Sequence, residues 1–179
     1  WRTLPVHQFE TAVFDLDGTL LDTSQGLISA VDYTVNKFSL RPLTHDEKLS
    51  FIGPPIQNSF ARVYNFSGDI LQEIATVFRD YYKNYSLYEA KPYDGIYELF
   101  NELVKNGIKP SVATYKRQDY ARDILLHFGF DKYTDILLGA DHENRLSKKD
   151  IIENALKMAN VTDLSRTVMI GDSDNDAIG

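Results

Sequence analysis

Two kinds of hydrophobic pattern alternate along the chain. Four short apolar runs, Thr11 to Asp17 (TAVFDLD), Gly107 to Thr114 (GIKPSVAT), Thr134 to Ala140 (TDILLGA) and Arg166 to Asp172 (RTVMIGD), end in small or polar residues and predict buried β-strands. Between them lie amphipathic patterns of helical period. In GIYELFNELVKNG, Ile96, Leu99, Phe100 and Leu103 share one face and Gly107 stops the helix; RQDYARDILLHFG and KKDIIENALKMAN repeat the arrangement, with Gly129 and Asn160 as stops. Strand and helix in alternation predict an α/β fold, a Rossmann-like doubly wound parallel sheet covered on both faces, with ligand chemistry at the carboxyl ends of the strands. Asp15, Thr114 and Asp172 are placed at such ends.

The alternation fails between about Ser24 and Glu89. There SQGLISAVDYTVNKFSL, PIQNSFARVYNF and GDILQEIATVFRDYYKNY follow one another as helical patterns, linked by Pro42, Gly53-Pro54-Pro55 and Ser67-Gly68. This predicts an all-helical cap subdomain, residues 22–89, inserted as a lid into a core made of residues 1–21 and 90–179. Tyr81, Tyr82, Tyr85 and Tyr88 recur at helical spacing, which is more often packing than a ligand-stacking stripe.

Composition narrows the function classes. The chain has 179 residues, 43% hydrophobic and 12% aromatic, enough to bury a real core. Its 19 basic against 26 acidic residues give a formal net charge of −7, which argues against nucleic acid or an anionic membrane as the main partner and for a small ligand or a cation. The absence of cysteine excludes disulfides, zinc thiolate sites and thiol nucleophiles. No apolar run approaches the roughly 20 residues of a spanning helix, and the start WRTLPVHQFE lacks the apolar centre of a signal peptide, so a soluble, cytoplasmic protein, monomer or homodimer, is expected.

The chemistry begins with AVFDLDGTLLDT, which drives an apolar strand into a knot of carboxylates. Past the strand end the chain turns at Gly18, so Asp15 and Asp17 can converge on one ligand. Two carboxylates about 4 Å apart repel by roughly 4 kcal/mol at an effective dielectric near 20, and Asp172 and Asp176 of GDSDND add to that. A divalent cation is the simplest remedy. Each acidic loop taken singly is an ordinary solvated turn; only their joint placement at strand ends points to function.

These residues resemble the four motifs of the haloacid dehalogenase (HAD) superfamily in their usual order: DLDGT after the first strand, ATYK after the second, Lys148 before a helix and GDSDND after the last strand. Within it, FDLDGTLLDT, the helical insertion with FIGPP, and KPYDGIYELFNELVKNGIKPSVATYK are similar to the phosphoglycolate phosphatase-like branch with a helical cap. The resemblance implies Mg²⁺, held by the Asp15 carboxylate, the Asp17 carbonyl and the Asp172 carboxylate with Asp176 in support. An all-oxygen set of this kind suits magnesium better than zinc or copper. It implies Asp15 as the nucleophile that forms an aspartyl-phosphate. Asp17 would give a proton to the leaving alcohol and take one from water. Thr114, Lys148 and backbone N–H groups near Leu16 and Tyr115 would bind the phosphoryl oxygens. Helical geometry distinguishes the two candidate lysines: Lys148 shares a stripe with Ile152, Ala155 and Ala159, whereas Lys149 aligns with Glu153 and Asn160 and faces water.

An aspartate at position 17 implies a phosphatase or a phosphomutase, since dehalogenases have no alcohol to protonate. The expected substrate is a small phosphorylated metabolite such as 2-phosphoglycolate; alternatives are a nucleoside monophosphate or, for a β-phosphoglucomutase-like enzyme, a sugar phosphate. An alternative of another class is a non-catalytic phosphate- or magnesium-binding module. Cap residues Arg62, Lys83 and the loop Phe51 to Pro55, with Gly53 in it, are the candidates for contacting the rest of the substrate. Two features depart from the family: no proline follows the motif lysine, and the chain stops soon after GDSDND, so the core is expected to be incomplete at its C-terminal end, with an exposed sheet edge.

Overall fold

A computed structural model describes residues 9–143 and 145–178; most of the amino-terminal stretch read for a leader, residues 1–8, lies outside it. The chain divides into two compact units, Trp1–Asp22 with Pro92–Gly179, and Thr23–Lys91.

The first unit is built on strands β1 (Thr11–Phe14), β4 (Lys109–Arg117), β5 (Leu137–Ala140) and β6 (Thr167–Ile170), in the order β5-β4-β1-β6 and all parallel. Two-residue strands β2 (Leu21–Asp22) and β3 (Lys91–Pro92) lie where the chain passes between units. Strand β1 is central and buried along its whole length, and alternation sends its side chains to both faces. Val13 packs with Ala113, Ile136 and Ala140 against Ile151, Ile152 and Ala155 of helix α7 (Lys148–Met158) and against Ala159 at its C-cap. Phe14 points the other way, its ring 4.9 Å from Phe100 of helix α5 (Ile96–Lys105), which in turn meets Phe130 and Tyr133. Helix α6 (Gln118–His127) follows β4, and the short α8 (Asp174–Ile178) follows β6.

Three sequence expectations change in detail. Strand β4 runs on to Arg117, so Thr114 lies inside it rather than at its end. In α5, Ile96 and Phe100 are buried but Leu99 is 43% exposed, so the buried stripe is narrower than expected. Strand β6, at one edge of the sheet, is only half-buried.

The second unit is helical: α1 (Ser24–Lys37), α2 (His45–Leu49), α3 (Ile56–Tyr64) and α4 (Asp69–Tyr81), with α4 continuing as a π-helical turn over Tyr82–Ser86. Helix α2 shows little periodicity but has a complete capping box, Thr44 with Glu47. The tyrosines divide. Tyr82 is buried against Phe78 and Tyr81 stacks on Tyr33 at 4.1 Å, whereas Tyr85 and Tyr88 are exposed. No helix among the described residues is long and apolar enough to cross a membrane.

Candidate active site

Parallel register assembles the site. Phe14 pairs with Val112 on one side and Ile170 on the other, so the residues just beyond β1 and β6 emerge side by side. Asp15 N–H still donates to Ile170 O at 2.9 Å, which keeps the first acidic loop in line with the last. The chain then turns sharply: Thr19, Leu20 and Leu21 N–H all donate to Leu16 O. Gly18 has φ +79°, and a Cβ there would overlap the Asp172 carboxylate; one on Gly171 would overlap Asp176. Glycine at these two places lets the acidic loops approach.

Carboxylate oxygens of Asp15, Asp172 and Asp176 lie within 4.8 Å of one another. Lys148, the first residue of α7, is held by a capping box in which Ser147 accepts from Asp150 N–H and Asp150 accepts from Ser147. Its side chain is 6% exposed, and the ammonium donates to Asp15 Oδ1 at 2.7 Å and stands 2.8 Å from Asp176 Oδ1. Lys149 is exposed, as the stripe argument requires. Burial raises the Asp15 carboxyl above its usual range, outweighing the Lys148 ammonium and a backbone hydrogen bond from Leu16. Burial pushes Asp176 upward too, but contacts with Lys148 and with Ser173 more than cancel it, and its carboxyl is held low. Ser173 is part of the site that sequence reasoning passed over: its N–H and hydroxyl both donate to Asp176 Oδ2, at 3.0 and 2.7 Å.

A second omission is Lys116. Its side chain is 6% exposed and its ammonium lies 3.0 Å from Asp17 Oδ1. The signal that marks it is its place two residues after Thr114, the spacing at which a strand repeats a face. Thr114, buried, accepts from Lys116 N–H at 3.2 Å and keeps its own O–H to donate. Leu16 is buried and the Tyr115 side chain is partly exposed, so any role of these two falls to their backbone N–H groups. Arg62 donates to Ser50 O at 2.8 Å within the second unit, and Gly53 (φ +97°) stands in an open loop of that unit.

The donor set fits a hard divalent cation. The four carboxylates of Asp15, Asp17, Asp172 and Asp176, less the two ammonium groups of Lys116 and Lys148, leave two negative charges. Asp176 Oδ1 is buried with the Lys148 ammonium 2.8 Å away as its charge partner and, with no other partner among the described residues, keeps a lone pair. That lone pair is available to a metal or to a metal-bound water.

The model of the haloacid dehalogenase-like hydrolases matches residues 12–179. The chain is 31% identical over 173 residues to a 5′-nucleotidase of Pseudomonas aeruginosa, covering 96% of this chain and 78% of that protein. It is 28% identical over 173 residues to a pyrophosphatase of Halalkalibacterium halodurans, covering 96% and 79%. A haloacid dehalogenase-like hydrolase of Streptococcus pneumoniae superposes with a TM-score of 0.86 at 29% identity, covering 96% and 79%. The chain belongs to the haloacid dehalogenase-like hydrolases.

Proposed function

We propose that this hydrolase is a magnesium-dependent phosphatase of small phosphate monoesters, 2-phosphoglycolate or a molecule like it, working through an aspartyl-phosphate on Asp15. The observation that carries the reading is the Asp15–Lys148–Asp176 cluster at the carboxyl ends of β1 and β6, with Asp17 two residues beyond the nucleophile. Asp15, the Asp17 carbonyl and Asp172 would hold magnesium, with Asp176 in support. When bound, magnesium neutralises the carboxylates and the phosphoryl oxygens that must approach them.

In the first half-reaction an Asp15 carboxylate oxygen bonds to phosphorus while the bond from phosphorus to the ester oxygen breaks. The proton on Asp17 passes to that oxygen, which leaves as the alcohol. In the second, water attacks phosphorus and gives its proton to Asp17, the Asp15–phosphorus bond breaks, and orthophosphate departs. Lys148 holds one Asp15 oxygen in place and, with the Thr114 hydroxyl and the Leu16 and Tyr115 N–H groups, meets the charge on the phosphoryl oxygens. The proton shuttle favours an enzyme over a binding module, which has no use for one.

Nucleoside monophosphates are the second substrate class, supported by the relative named as a 5′-nucleotidase. The test is release of phosphate from a panel of esters, including 2-phosphoglycolate, nucleoside monophosphates, sugar phosphates and pyrophosphate, with and without magnesium. The expected result is magnesium-dependent turnover that Asp15→Asn lowers by several orders of magnitude. Tight phosphate binding without turnover would instead identify a binding module.

A further inference from the structure

We propose that Lys116 is a positioning residue for the acid–base carboxyl, fixing Asp17 for proton transfer to the leaving group. The inference rests on the phosphatase reading above and adds a member to its machinery. An ammonium with 6% of its side chain exposed is costly to hold away from water unless a carboxylate compensates it, and here Asp17 Oδ1 stands 3.0 Å away. The two ends of this pair differ in how they are attached to the fold. Lys116 belongs to β4, its backbone N–H is tied to the buried Thr114 hydroxyl, and its stem is packed. Asp17 sits on the turn between Asp15 and Gly18, where its carboxyl has two torsions to settle and is 18% exposed. The strand-borne cation therefore anchors the loop-borne carboxyl through Oδ1, in the way a triad's third member orients its base.

The pairing also separates duties among the cations. Lys148 spans Asp15 and Asp176, the nucleophile and the metal-side carboxylate, whereas Lys116 engages the residue that handles the proton. In the step it serves, the proton on the Asp17 carboxyl moves to the ester oxygen as the phosphorus–oxygen bond breaks with its electron pair on that oxygen. Misplacing the carboxyl penalises only leaving groups that need the proton. An alkoxide needs it, whereas p-nitrophenolate departs without it.

The test uses the full chain with magnesium and compares kcat/KM, which reports steps through loss of the leaving group, on an alkyl phosphate and on p-nitrophenyl phosphate. Lys116→Met is expected to lower kcat/KM on the alkyl ester by about 10- to 100-fold, within the range that general acid catalysis contributes, and by at least about ten-fold less on the aryl ester. Lys116→Arg, which keeps a cation in reach, is expected to recover most of the alkyl activity. In an Asp17→Asn background, Lys116→Met should add almost nothing, because the group it orients is gone. Thermal melts of each variant check folding; should Lys116→Met fail to fold, Lys116→Gln carries the same leaving-group prediction. Equal losses on both esters, or additive losses in the double variant, overturn the inference while leaving an Asp15-dependent phosphatase in place. Absence of wild-type turnover on every ester, or turnover indifferent to Asp15→Asn, overturns the phosphatase reading and this inference together.

Discussion

At the scale of single residues, the site is a problem of keeping like charges together, and small residues matter as much as charged ones. Lys148 relieves the repulsion between Asp15 and Asp176 directly. Gly18 acts sterically instead, by leaving room for the Asp172 carboxylate beside the first loop. Gly18→Ala would place a methyl group on that carboxylate in a backbone conformation that alanine resists, at a cost of roughly 1–2 kcal/mol. The expected outcome is a lowered unfolding midpoint together with weaker magnesium binding, measured by thermal melts and by calorimetric titration. Lys148 could be told from Lys149 in the sequence because a helix repeats every 3.6 residues and only one of the two falls on the apolar stripe. For Lys116 the mark is only its place two residues after Thr114: its burial follows from the extension of β4 beyond the end of β1, and a strand's length is poorly encoded in its own residues.

At the scale of elements, α7 connects the core to the chemistry. Its buried face, Ile151, Ile152 and Ala155, seats it under the sheet, and its capped N-terminus presents Lys148. Ser147→Ala removes the cap and is expected to destabilise the protein by about 1 kcal/mol, read from denaturant unfolding. The same cap carries a pH dependence. Hydrogen bonds from the Ser147 hydroxyl and N–H hold the Asp150 carboxyl below its usual value of 3.8. A depressed folded-state pKa means that this contribution is complete above that usual value and fades as the pH falls through the lower, folded one. In Ser147→Ala the Asp150 resonance should titrate closer to the usual value, as followed by NMR, and the acid limb of the stability profile should become shallower. The narrow buried stripe of α5 is the counterexample: Leu99 fits a helical face by spacing yet remains exposed, because the contact with Phe14 and Phe130 is made by Phe100.

At the scale of the whole molecule, binding energy at the acidic loops adds to the stability of the unit that contains them. Magnesium at 100 times its dissociation constant would contribute about 2.7 kcal/mol. The expected outcome is a magnesium-dependent rise in unfolding midpoint that Asp172→Asn diminishes. Slowed hydrogen exchange should accompany it in the loops after β1 and β6, while the amides of Thr23–Lys91 change least. Calcium or EDTA controls in the same melts separate metal binding from ionic strength. An unchanged midpoint at saturating magnesium would contradict the assignment of these carboxylates as ligands.

By itself, the amino-acid sequence determined the alternation of strands and helices, the place of the helical insertion and the identities of Asp15, Asp17, Thr114, Lys148, Asp172 and Asp176 as candidates. Local periodicity and short motifs carry that information because they depend on neighbours within a few residues. Only the tertiary structure decided which charges meet. The parallel register of β1 with β4 and β6 brings together loops more than 150 residues apart, and with them the Lys148 bridge, the Ser173 support of Asp176 and the pairing of Lys116 with Asp17. Coulombic contact depends on distance in space, and distance in space is set by the sheet as a whole rather than by any one segment of it.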